Sequence, residues 1–128
     1  MAQVKVYGRR SVWGRRTEEV SDAIQDLLVE CWGLPPDKRF HRFLLLADDE
    51  LVAPTRGLQY LLVEIVCFSG RSPQAVRRLV HALARDLPQT LGVPPEEVES
   101  VVLESPASHW AIRGSAGDEL ALPYRVDI

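Results

Sequence analysis

The sequence predicts an α/β fold of the α+β kind: a tandem β-α-β repeat that forms a four-stranded, mostly parallel sheet with two helices on one face. Three observations lead there. Two segments with helical apolar spacing each stand between β-like runs. The links Gly33-Leu34-Pro35-Pro36-Asp37 and Gly92-Val93-Pro94-Pro95-Glu96 recur 59 residues apart, which marks a duplicated unit. The run Leu61 to Phe68 is apolar apart from Glu64, as in a strand covered on both faces.

Residues 3–7 alternate apolar and polar side chains as a short strand does, and the Arg-rich segment 8–16 reads as a loop. Thr17 is placed to cap a helix whose first turn carries Glu18 and Glu19. Val20, Ala23, Ile24, Leu27, Leu28 and Cys31 then fall on one helical face, and Gly33 with Pro35 ends it. Phe43 to Leu46 reads as a buried strand. In the second unit Leu61 to Phe68 is a strand, and Ser72 with Pro73 starts a helix carrying Val76, Leu79, Val80, Leu83 and Leu87 on one face. Pro88 is expected to break or bend its last turn, and a strand from Val98 to Glu104 closes the unit. The chain thus reads as one domain over 1–128, with repeat units at about 2–47 and 60–105 and an extension at 106–128. Each helix is long enough for a right-handed crossover between parallel strands. The sheet face without helices needs cover, which in a chain this small is expected from neighbouring subunits.

Composition narrows the function. With 46% hydrophobic and 26% charged residues the chain is an ordinary globular one. A net charge of −3 supplies no basic field for phosphate backbones, so nucleic acid is not an expected partner. No apolar run approaches a membrane span or a secretory signal, which places the protein in the cytoplasm and off the membrane. Cys31 and Cys67 sit in apolar contexts without C-x-x-C spacing and read as buried thiols. His41, His81 and His109 lack metal-ligand spacing, and no metal or phosphate-loop signature occurs. His81 lies off the apolar stripe of its helix, which leaves His41 as the histidine to test for catalysis.

Three separated motifs, FHR after the first Gly-x-Pro-Pro turn, EIVCFSGRSPQA at the second crossover and HWAIRG further on, resemble the tautomerase superfamily. The likeness is greatest to its malonate semialdehyde decarboxylase-like branch and spans roughly residues 2–120. The resemblance implies a homotrimer with inward-facing sheets, a small keto, enol or halogenated carboxylic acid as ligand, and no cofactor or metal. It also implies an exposed N-terminal proline as the reacting amine, where this sequence has Ala2. With Met1 removed, Ala2 offers a primary amine of the α-amino kind, which ordinarily titrates at about 7.7–8.0 and can act as a base or form an imine. Arg71, in SGRS before the second helix, matches the arginine that holds the substrate carboxylate. Ser69 stands where the decarboxylases carry a second arginine. Their aspartate aligns with Lys38, and Asp37 beside it is the carboxylate candidate. Trp110 matches an aromatic pocket wall, and Arg39 and Arg113 add candidate cations.

The expected function is therefore binding of a small enol or keto carboxylic acid, with proline-dependent tautomerase or decarboxylase activity weak or absent. The alternative is a non-catalytic oligomeric binding or assembly module on the same fold. A ferredoxin-like ligand-binding domain also has two β-α-β units, but the short Gly-x-Pro-Pro links and HWAIRG weigh against it.

Overall fold

A computed structural model of the chain describes residues 2–54 and 57–128. Strand β1 (Ala2–Arg9) lies inside a sheet ordered β2-β1-β3-β4. It runs parallel to β2 (His41–Leu46) and antiparallel to β3 (Leu61–Phe68), which runs parallel to β4 (Val98–Ser105). Each repeat contributes one parallel pair, and the antiparallel β1–β3 seam joins them into a mixed sheet. That seam sets the start of β1 against the end of β3, with Ala2 opposite Cys67.

One face of the sheet is sealed by α2 (Thr17–Trp32) and α3 (Pro73–Leu91). Val4, Val6, Val63 and Ile65 pack from the strands against Ile24, Leu28, Leu79 and Leu83 from the helices, all fully or almost fully buried. The helices lie antiparallel and are tied at both ends. Trp32 Nε1 donates to the Ala75 carbonyl at 2.9 Å, and Arg16 Nη2 donates to the Leu91 carbonyl at 2.7 Å.

The ends of the helices follow local chemistry, with two departures from expectation. Ser72 Oγ accepts from the Ala75 N–H at 3.1 Å, and Gly33 and Gly92 close their helices in the left-handed conformation at φ 67° and 70°. Thr17, however, is the first helical residue and not the cap. Arg16 takes that position and grips Glu19 at 2.8 and 2.9 Å instead. Pro88 does not end α3, which continues to Leu91. The N–H that proline lacks would have met the carbonyl of Ala84, an exposed residue whose carbonyl can bond water instead.

The Arg-rich segment is also more than a loop. It contains a one-turn helix, α1 (Arg10–Trp13), that drops Trp13 completely into the core. The strand expected to be buried at Phe43–Leu46 is an edge strand, and Leu44 is 39% exposed.

The second sheet face carries Tyr7, Leu44, Leu62, Val66, Val101 and Leu103 on adjacent strands, and among the described residues no helix packs across it as α2 and α3 pack across the first. Val101 and Leu103 remain 37% and 46% exposed. Among the described residues no helix is long and apolar enough to cross a membrane.

Candidate active site at the start of β1

A small cavity of about 40 Å³ opens beside Ala2. Leu34, Pro35, Phe40, Leu122, Pro123 and Tyr124 make its walls mainly apolar, while Lys38 and Arg113 bring two cations to it. The first Gly-x-Pro-Pro link positions one side. Gln25, buried in α2, donates from Nε2 to the Pro35 carbonyl at 3.0 Å, and the Lys38 N–H turns back to the same carbonyl at 3.2 Å. The Val4 N–H then meets the Phe40 carbonyl at 2.9 Å, which fixes the segment 38–40 against the start of β1.

Arg113 arrives from a hairpin that the sequence patterns did not reveal. Strands β5 (Ala111–Ile112) and β6 (Ser115–Ala116) are joined by Arg113 and Gly114, with φ of 49° and 84°. Positive φ at both positions is the geometry of a tight two-residue hairpin turn. Arg113 is the non-glycine residue that takes it, at a steric cost of about 1–2 kcal/mol. The hairpin base is anchored by Gly117, whose N–H donates to the Trp110 carbonyl at 2.8 Å. A Cβ there would run into the Ala107 carbonyl, so only glycine fits.

Arg71 lies outside the cavity lining. It is 6% exposed, its guanidinium stacks 3.9 Å from the Trp32 ring centroid, and Nη1 donates to the Phe68 carbonyl at 3.3 Å. Nε and Nη2 are buried without an oxygen or nitrogen partner, beside the Cys67 sulfur and near Tyr124 and Glu104. Burial pushes the Arg71 pKa down, and it pushes the Cys67 thiol and the Tyr124 phenol up, with the Arg71 charge opposing both of these last shifts. Arg71 also borders a groove formed by Pro73, Val76, Arg77, His81 and Glu104.

Of the residues singled out from sequence, Ala2 and Arg113 meet in the cavity, with Arg71 behind Cys67. The others stand elsewhere. Asp37 is exposed in the link and does not line the cavity. Arg39 pairs with Asp22 at 2.6 Å. Trp110 packs edge-on to Phe68 with ring centroids 5.1 Å apart and lines a groove on the open sheet face with Lys5 and Arg42. Lys38, Phe40 and Tyr124 join the cavity without having been proposed for it. Lys38 was visible as the aligned neighbour of Asp37, whereas nothing local in the sequence places Tyr124. Met1 lies outside the described residues. Among the described residues no three His, Cys, Asp or Glu side chains stand together as a metal site.

His41 points to the helix side of the sheet. Ser21 Oγ accepts from Arg39 Nη1 at 3.1 Å and so can donate to His41 Nδ1 at 2.7 Å, leaving the neutral ring's proton on the buried Nε2. Burial first, and the Arg39 charge second, push its pKa down from 6.5 to about 4, against an opposing pull from Asp22. The unfolded chain therefore binds the proton more readily than the folded one. His41 should contribute nothing to pH dependence above pH 6.5, and stability should be lost as pH falls from 6.5 through about 4. The loss should be no more than roughly 2 kcal/mol, because the ring is partly open to solvent screening. Thermal unfolding of wild type and His41→Asn across this range is the check, and parallel curves would mean that the ring does not titrate this way.

Comparison with known proteins agrees with this architecture. A model of the tautomerase enzyme family matches residues 38–113, more than half of the chain, and the chain belongs to that family. The "Probable tautomerase" of Ralstonia nicotianae is 34% identical over 53 residues, covering 41% of this chain and 76% of that protein. Among solved structures, an FG41 malonate semialdehyde decarboxylase inhibited by 3-bromopropiolate superposes with a TM-score of 0.73 at 21% identity, covering 94% of this chain and 99% of that one. A fused 4-OT described as an asymmetric trimer gives 0.79 at 14% identity, with 91% and 96% covered. At such identities these two structures speak for the fold.

Proposed function

We propose that this tautomerase-superfamily chain binds a small enol or keto carboxylic acid in the cavity at Ala2, with proline-dependent tautomerase or decarboxylase activity weak or absent. The observation that carries the reading is the meeting of Ala2 with Lys38 and Arg113 in a largely apolar cavity. In such surroundings a carboxylate between an ammonium and a guanidinium gains more than it would in water. The ligand's carbonyl or enol carbon then lies toward the start of β1. Once Met1 is removed, the Ala2 amine is there, and two nearby cations favour its neutral form, the one able to take a proton. It lacks the ring that would fix its direction, which argues for weak catalysis.

Arg71 enters this reading as a second anion-binding group behind Cys67, and Trp110 as a wall of the neighbouring groove. Asp37, Arg39 and His41 enter it only through the link and helix contacts that carry Lys38. A homotrimer fits the uncovered face with Leu62, Val66 and Leu103, and a solved relative of this fold is a trimer. A cytoplasmic setting is in keeping with two free, buried cysteines.

Calorimetric titration of pyruvate into wild type, Lys38→Ala and Arg113→Ala tests the reading. Each variant should lose roughly tenfold in affinity, the value of one charge-assisted contact. Equal affinity in all three proteins would remove the cavity as the carboxylate site.

A further inference from the structure

Residues 120–128 form neither helix nor strand, yet they alternate in burial as a strand does. Leu122, Tyr124, Val126 and Ile128 are half-buried, while the residues between them are exposed. The inward set spans two places. Leu122 and Tyr124 wall the Ala2 cavity. Val126 lies over the SGRS turn, its Cγ1 3.2 Å from where a Cβ on Gly70 would be, and the Ile128 carbonyl accepts from the Ser72 N–H at 2.8 Å. Arg71 lies between those places, close to Tyr124.

The Phe68 carbonyl and the Trp32 ring compensate one side of this buried cation, but Nε and Nη2 have no oxygen or nitrogen acceptor among the described residues, and a charged donor left so is costly. The cover above it lacks regular backbone pairing and has every second side chain in solvent. Such elements open at far lower free energy than a sheet or helix core. An anion reaching Nε and Nη2 would satisfy both donors and gain strength from the closed surroundings.

We propose that residues 120–128 are a strap that opens to admit a small anion to Arg71 and closes over it. This gating belongs to the site described above and rests on that reading only for the anion's identity, a small keto carboxylate. The strap couples the two cationic positions, since Tyr124 borders the cavity on one side and neighbours Arg71 on the other.

Phenylglyoxal labelling of arginines, followed by peptide mass spectrometry, tests it on the full chain. In wild type, Arg71 should react more slowly than the exposed Arg113 and Arg125. Val126→Asp, which puts a charge against the SGRS turn, should speed Arg71 labelling by roughly tenfold or more. Arg9, equally buried at the far end of β1, should not change and reports global unfolding. An unchanged Arg71 rate in a variant with unchanged Arg9 overturns the strap. If Arg9 also accelerates, hydrogen exchange of wild type decides: the Ser72 amide must exchange faster than that of Leu83 within α3, and equal protection overturns the proposal. Pyruvate should slow Arg71 labelling in wild type. Acceleration by Val126→Asp without pyruvate protection leaves the strap standing and removes a keto acid as the anion at Arg71, while the Ala2 cavity is judged by the Lys38 and Arg113 titrations.

Discussion

Leu62→Asp is expected to leave a folded chain that no longer assembles, while Ile65→Asp, three residues along the same strand, is expected not to fold. The difference follows from which sheet face each residue occupies. Ile65 is completely buried against the helices, and an ionised carboxylate there loses its hydration without gaining a partner. That penalty, several kcal/mol, is a large part of the roughly 5–15 kcal/mol that holds a domain of this size together. Leu62 lies on the open face beside Tyr7, so its carboxylate stays hydrated in a lone chain and is desolvated only when a neighbour covers it. Circular dichroism and light scattering at micromolar concentration separate the two outcomes. A wild type that stays monomeric would end the trimer proposal, and an intact oligomer of Leu62→Asp would place the interface elsewhere.

Ala2→Pro is expected to produce the largest gain. A secondary amine held by its ring in the Ala2 cavity regains the fixed direction of an efficient proton acceptor. Tautomerisation of phenylenolpyruvate should rise by on the order of a hundredfold over wild type once mass spectrometry establishes that Met1 is gone. Wild type already turning over as fast as the proline variant would mean that the ring is unnecessary. No gain would instead mean that Lys38 and Ser69 have reshaped the pocket, which favours the binding-module alternative.

How much of this was legible in the sequence depended on the range of the interactions. The helices were, because Val20 to Cys31 and Leu79 to Leu87 repeat at the helical period and Ser72, Gly33 and Gly92 mark ends by local chemistry. The order of the strands was not, since the antiparallel β1–β3 seam arises from packing two β-α-β units together and leaves no local pattern. Apolarity of β3 was read as two-sided cover. The chain itself buries Leu61, Val63, Ile65 and Cys67 fully and leaves Leu62, Glu64 and Val66 between them only half-covered. The site followed the same division. Arg71 was found from its motif, but its stacking on Trp32 depends on the antiparallel α2–α3 pair. Arg113 was noticed only as a charge, and its delivery to Ala2 rests on a hairpin with an unfavourable arginine in the left-handed region. Tyr124 reaches the site through residues 120–128, whose alternation is too short and Pro-interrupted to announce a fixed path.

Reductive trapping tests most directly the claim that a keto acid binds with its carbonyl at the Ala2 amine. Pyruvate is added to protein whose intact mass shows loss of Met1. The amine displaces the carbonyl oxygen as water to form an imine, and cyanoborohydride then delivers hydride to the C=N carbon, leaving a stable secondary amine. Binding in that pose yields a single adduct on the peptide that begins at Ala2, strongly reduced in Arg113→Ala. Adducts spread over Lys5 and Lys38 with none at Ala2, or an Ala2 adduct indifferent to Arg113, would contradict it.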